Sequence, residues 1–205
     1  MSNHELGSIE LSALKELTNV GLGHAATALS QMVGRQMMIS IPSIDLMQME
    51  SIPSLIGGDE VPTIAVAMSV EGDLAGTLAF ILRKGDAERM AACIHRGNLG
   101  GIEKKQLERS ILLEVGNIVD SNYLNAISDM TGTQTVATVP VLIEDMAASV
   151  VSSILAEAWE NNEEVALFET QISDEETMML GFFIYIPAKG SVRKALRSLG
   201  IREAS

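Results

Sequence analysis

Two stretches of the chain carry apolar residues at helical spacing, and each leads into shorter alternating and continuous apolar runs that read as strands. The first, Leu11 to Pro42, reads LSALKELTNVGLGHAATALSQMVGRQMMISIP; the second, Arg109 to Pro140, reads RSILLEVGNIVDSNYLNAISDMTGTQTVATVP. Leu14, Leu17, Leu22, Ala25, Leu29 and Met32 are predicted to face a core from the first helix, and Leu113, Ile118, Tyr123, Leu124, Ile127 and Met130 from the second. A shift of 98 positions superposes the stretches without a gap. It brings Ser12 onto Ser110, Glu16 onto Glu114, Asn19 onto Asn117, Ser30 onto Ser128, Met32 onto Met130, Gly34 onto Gly132 and Pro42 onto Pro140.

The elements that follow recur in the same order. Val61 to Ser69 and Glu164 to Ile172 are predicted strands, each entering a polar turn, Glu71-Gly72-Asp73 or Asp174-Glu175-Glu176. Leu74 to Leu82 and Met178 to Ile186 are the partner strands of these hairpins. Asp86 to His95, with Asp86 as N-cap, and Ser191 to Leu199 are predicted terminal helices. The expected fold is therefore α+β: two halves of helix, strand, hairpin and helix, related by a pseudo-two-fold axis and sharing a mixed β-sheet flanked by helices. Halves of this size could fold as separate domains. The short link from Arg96 to Glu103, without low-complexity sequence, favours a single domain over 1–205 with internal repeats at about 8–97 and 106–200.

One segment breaks the symmetry. Met146 to Trp159 has Ala147, Val150, Val151, Ile154, Leu155 and Ala158 at helical spacing, opposite Ser149, Ser152, Ser153 and Glu157. Its counterpart, Ile52-Pro53-Ser54-Leu55-Ile56-Gly57-Gly58, supports only a turn or two. Packing on the sheet is the first reading of this helix, and a partner surface the second.

Composition narrows the function classes. The chain has 205 residues, 47% of them apolar and 3% aromatic, with 27 acidic against 14 basic side chains and a formal charge of −13. Nucleic acid and anionic membrane surfaces are excluded as partners, because both need clustered Lys and Arg. The single cysteine, Cys93, closes no internal disulfide, and the opening residues show no basic stretch before an apolar run, so a cytoplasmic location is expected. The apolar runs are well short of the roughly 18 residues that span a bilayer.

The candidate chemistry lies on the two long helices. Ser, Glu and Asn stand at i, i+4 and i+7 in both, and at about 100° per residue they share one stripe, opposite the apolar face. A solvated helix face is the ordinary explanation of either copy alone. Asn, however, is a mediocre helix former, and its recurrence in register with the same Glu suggests a requirement beyond helicity. A carboxamide is a neutral donor and acceptor; it cannot act as a nucleophile or strong base, but it can hold a water in line for attack. A Glu one turn earlier suits pairing with a lysine on another molecule.

The pattern Ser/Asp-x3-Glu-x2-Asn-x22-Pro, present as Ser12/Glu16/Asn19/Pro42 and as Ser110/Glu114/Asn117/Pro140, resembles the signature of the CheC/CheX/FliY phosphatases of bacterial chemotaxis. The stretch Leu113-Glu114-Val115-Gly116-Asn117-Ile118 is the more typical copy, and the first departs at Thr18, the residue before Asn. The resemblance implies an enzyme of the hydrolase class, acting on the aspartyl phosphate of CheY through two centres. Asn19 and Asn117 would orient the water, and Glu16 and Glu114 would anchor the response regulator through its active-site lysine. Pro42 and Pro140 would end the strand-entry turn. No cofactor of its own is implied, the Mg being carried by the regulator. The deamidase CheD is implied as a second partner, with the Met146 to Trp159 helix as candidate surface. The internal duplication and the length favour the two-motif CheC type within the family. The competing function is a non-catalytic, FliM-like scaffold or an adaptor for CheD.

Other motifs carry less. Gly21-Leu22-Gly23-His24-Ala25-Ala26 matches a dinucleotide fingerprint but lies inside a helical pattern, so close helix packing is the reading there. His4, His24 and His95 are too scattered for a metal site, and Cys93 reads as a small buried hydrophobe.

Overall fold

A computed structural model describes residues 8–95, 101–157, 164–174, 176–188 and 191. In chain order these form α1 (Ser8–Val33), β1 (Met38–Gln48), α2 (Ile52–Ile56), β2 (Pro62–Gly72), β3 (Gly76–Arg83), α3 (Lys84–Ile94), α4 (Gly101–Thr131), β4 (Thr135–Ala137), β5 (Val141–Met146), α5 (Ala147–Glu157), β6 (Glu164–Ser173) and β7 (Met178–Pro187). The helix expected from Ser191 to Leu199 lies, apart from Ser191, outside the described residues.

The sheet runs β1-β6-β7-β3-β2-β4, with β5 also paired to β2. Read backwards, the order is the same with each element replaced by its counterpart in the other half. The hairpins β2–β3 and β6–β7 meet at the β3–β7 pair, where Phe80 lies opposite Phe183. The strand after each long helix crosses over: β1 pairs with β6 of the second half, and β4 and β5 pair with β2 of the first. The α+β class and the pseudo-two-fold arrangement are as expected. One detail differs: every described pairing is antiparallel, not mixed. A two-fold axis perpendicular to a sheet reverses the direction of whatever it relates, so two hairpins joined across it stay antiparallel.

Both faces of the central strands are covered, which explains why they read as near-continuous apolar runs. Ile64, Met68 and Val70 of β2, Leu78, Phe80 and Leu82 of β3, and Met179, Phe183 and Tyr185 of β7 pack under α1, α3 and α4. The intervening residues Ala65, Ala67, Ala79, Ile81, Phe182, Ile184 and Ile186 pack against Ile52 and Ile56 of α2 and Ala147, Val150, Val151 and Ile154 of α5. The apolar stripe of α5 is thus spent on the sheet, while Ala158 and Trp159 of the predicted helix lie outside the described residues. Its solvent side offers Ser149, Ser152 and Ser153, the last two donating their hydroxyls to the carbonyls of Ala148 and Ser149.

Leu17, Leu22, Ala25 and Leu29 of α1 and Tyr123, Leu124 and Ile127 of α4 are buried as predicted, and Leu113 and Ile118 are half-buried. Met32 and Met130, 37% and 43% exposed, depart from the prediction because they sit in the last turns of their helices. Two glycines let these helices approach their neighbours. A Cβ on Gly116 would lie 2.4 Å from Cβ of Val66 on β2, and one on Gly21 would lie 2.8 Å from Cα of Tyr123. The packing reading of the glycine motif therefore applies to Gly21, whereas Gly23 has nothing within 4 Å. Gly116→Ala is expected to destabilise the protein by about 1–3 kcal/mol through overpacking against Val66. A lower urea midpoint at unchanged slope would show it; an unchanged midpoint would mean that α4 lifts off β2 without cost.

The turns account for other residues shared by the copies. Gly34 and Gly132 have φ of 72° and 65°, the left-handed conformation that ends a helix and favours glycine. Ser30 Oγ accepts the Met37 backbone N–H at 2.9 Å, and at the equivalent place Ser128 and Thr135 share a hydroxyl bond of 2.7 Å. Each hairpin end clasps the other half: Asp73 accepts from the Gln134 N–H, and Asp174 pairs with Arg35 at 2.6 Å. Pro42 does not end an entry turn. It lies within β1 at a register shift between Ser40 and Ser43, while Pro140 lies in the break between β4 and β5. A residue without an N–H is tolerated where the ladder is interrupted.

Two smaller expectations are corrected. Asp86 is not the N-cap of α3, a place taken by Arg83; it sits buried in the first turn and accepts from Arg89 at 2.6 Å and from the Leu180 N–H at 3.3 Å. Cys93 is half-buried, and its thiol donates to Asp174 at 3.5 Å, with desolvation the main cause of its raised pKa.

Candidate functional site

The structure leaves the predicted polar stripe open. Ser12, Glu16 and Asn19 on α1 are exposed, as are Ser110 and Glu114 on α4, and Asn117 is half-buried. Glu and Asn at i, i+3 on a helix have Cβ atoms roughly 5–6 Å apart, so each ridge presents one carboxylate beside one carboxamide. The residues beneath them are core: Leu17 and Thr18 under the first ridge, Val115 and Gly116 under the second. The stripe is solvent-facing because the opposite arc of each helix is spent on packing.

The two ridges are backed differently. Thr18 occupies the position of Gly116, fully buried, with its hydroxyl beside that of Tyr123. Burial pushes the Tyr123 hydroxyl well above the usual phenol range, and Thr18 acts in the opposite direction. The ring of Tyr123 packs at 4.5 Å and 58° on Phe183, within the common range of aromatic pairs. The departure of the first motif at Thr18 thus reflects the packing of α1 on α4 rather than of a helix on β2.

Around Asn117 three further polar groups stand one turn away. Ser121 donates its hydroxyl to Asn117 Oδ1 at 3.3 Å. Asn122 Nδ2 donates to the Ile118 carbonyl at 2.8 Å. Asp120 is fully buried, and neither of its carboxylate oxygens has a hydrogen-bond partner among the described residues; burial raises its pKa well above 3.8. Leu22 fills the equivalent place in the first half. Sequence reasoning missed Ser121 and Asp120. The signal for Ser121 was its i+4 spacing from Asn117, whereas an acid on a helix gives no local sign that it points inward.

The site is a ridge, not a pocket. A cleft of about 370 Å³ lined by Arg35, Arg89, Cys93, Glu176 and Thr177 contains none of the predicted site residues. Among the described residues no group of three or more His, Cys, Asp or Glu is placed to hold a metal ion, and no helix is long and apolar enough to cross a membrane.

Comparison with known proteins shows what the chain and its fold are similar to. The model of the CheC-like family matches residues 9–44 and 107–144, the two segments that carry the Glu and Asn. The CheY-P phosphatase CheC of Bacillus subtilis is 28% identical over 197 residues, covering 93% of this chain and 94% of that protein. Among solved structures, Thermotoga maritima FliY superposes with a TM-score of 0.77 at 18% identity, covering 96% of this chain and 99% of that one. CheX in the CheX–CheY complex with BeF3 and Mg from Borrelia burgdorferi superposes with a TM-score of 0.54 at 16% identity, covering 90% and 100%.

Proposed function

We propose that this chain is a CheC-like protein phosphatase that hydrolyses the aspartyl phosphate of the response regulator CheY, a reading supported by the match of the CheC-like family model to both Glu/Asn segments and by the similarity to CheC of Bacillus subtilis. The observation that carries this reading is the Glu and Asn pair on the outer stripe of a helix, repeated in register on two helices, with Glu16, Asn19 and Glu114 exposed and Asn117 half-buried. Other residues shared by the copies have work inside the fold: Ser30 and Ser128 clasp strands, and Gly34 and Gly132 turn the chain. Glu16, Asn19 and Glu114 are exposed on their helices, and Asn117 is held by Ser121 one turn away. The name of the Bacillus subtilis relative and the complex of a like-folded CheX with CheY support the choice of substrate.

In this mechanism Asn19 or Asn117 reaches into the active site of the docked regulator and aligns a water with the phosphorus. The water oxygen forms the new P–O bond as the bond to the aspartyl oxygen breaks. Inorganic phosphate leaves carrying both hydrogens of the water, as dihydrogen phosphate, and the regulator's carboxylate is restored. Glu16 and Glu114 pair with the regulator's lysine and hold it in register. The regulator's own Mg supplies the charge stabilisation, and geometry supplies the remaining rate. The net negative charge of this chain does not oppose the reaction at the centre, because the amide is neutral. The crossed strands β1 and β4–β5 support treating residues 1–205 as one domain that presents both centres on one surface.

The test is decay of phosphate on purified CheY, charged with a small acyl phosphate donor. Faster decay with the parent chain, lost in the Asn19→Ala/Asn117→Ala variant, is the expected result. Binding to CheD with no effect on phosphate decay would instead favour the adaptor reading. The feature that favours CheD as a second partner is α5, eleven residues long against five in α2, with its serine face free.

A further inference from the structure

The two centres present the same Glu and Asn, but they differ in what holds the Asn. Asn117 receives a hydrogen bond from the hydroxyl of Ser121, one turn further along α4. The residue at that place in α1 is Gly23, which has no side chain to donate, and a Cβ there would find open space within 4 Å. Asn19 is correspondingly the more exposed of the two.

A carboxamide has two unlike ends and a broad, nearly two-fold torsion between them. Its oxygen accepts from the attacking water and its nitrogen donates to a phosphoryl oxygen, so the order of the ends matters. A hydroxyl donating to Oδ1 fixes that order: it takes one lone pair, leaves the second for the water, and turns Nδ2 away from Ser121. We propose that Ser121 is a positioning residue for Asn117, and that its absence at Gly23 makes the α1 centre the slower of the two. This inference rests on the reading of Asn117 as the residue that aligns the water.

Each centre is tested in a chain where the other is disabled. With Asn19→Ala in place, Ser121→Ala is expected to lower kcat toward phosphorylated CheY about 3–10-fold, the usual worth of one neutral hydrogen bond, with KM unchanged. Ser121→Thr, which keeps the hydroxyl, restores the rate. With Asn117→Ala in place, Gly23→Ser is expected to raise the kcat of the α1 centre by a similar factor. Both substitutions favour the helix, so a loss of rate would not come from unfolding. If Ser121→Ala leaves kcat unchanged while Asn19→Ala/Asn117→Ala is inactive, the positioning role is wrong and the phosphatase reading stands. If the double Asn variant keeps full activity, Asn117 does not align the water and the inference falls with that assignment; if the parent chain does not speed phosphate decay at all, the phosphatase reading itself fails. A rise in KM alone would make Ser121 a docking contact and overturn the inference.

Discussion

The Asn19→Ala/Asn117→Ala variant is expected to lose CheY phosphatase activity by a hundredfold or more, on the order of the loss seen when a reacting group is misplaced by about 1 Å. Each single variant should retain the activity of its intact centre. Alanine removes the carboxamide without removing packing, since Asn19 is exposed and Asn117 half-buried. Ala is also the better helix former, by up to about 0.7 kcal/mol per site. The double variant should therefore be slightly more stable than the parent while inactive. Thermal unfolding alongside phosphate decay separates the two: an inactive variant with a lowered Tm would point to damage of α1 and α4, and an active one would remove Asn from the mechanism.

Asp120→Asn is expected to stabilise the protein near neutral pH by roughly 1–3 kcal/mol, each kcal/mol raising Tm by about 2–4 °C. Both oxygens of Asp120 are buried without partners among the described residues, and burial raises its pKa well above 3.8 in the folded chain. The folded chain therefore keeps a proton that the unfolded chain has already released. The resulting stabilisation is complete below about pH 4, where both states are protonated, and is lost as pH rises through the folded pKa. An amide of the same size has no proton to lose, so the variant should show a flatter profile of stability against pH and the larger gain on the neutral side. Identical Tm profiles for parent and variant between about pH 4 and pH 7 would show that Asp120 is ionised and solvated in the folded protein.

Much of the fold was legible from residue order. The apolar period placed α1 and α4, and the turn residues placed both hairpins within a few positions. Gly34 and Gly132, which the sequence showed only as residues shared by the repeat, end the helices in the structure because only a residue without Cβ takes positive φ at little cost. The stripe of Glu16, Asn19, Glu114 and Asn117 was legible because spacing on a helix is a local property. Asp86 was misread because Asp suits both an N-cap and the first turn, and the bond from Leu180, 94 residues away, decided between them. Pro42 was misread because a bulge depends on the strand opposite.

The sequence by itself determined the helices, the hairpins, the polar ridge on each helix and the pattern that resembles the CheC-like family, since all of these follow from neighbours within a few turns. Only the tertiary structure decided that β1 joins β6 and β4–β5 join β2, that every described pairing is antiparallel, that Asp120 is sealed in the core, and that α5 spends its apolar face on the sheet. Those outcomes depend on which distant surfaces exclude water from one another, and periodicity along one segment carries no record of the surface it will meet.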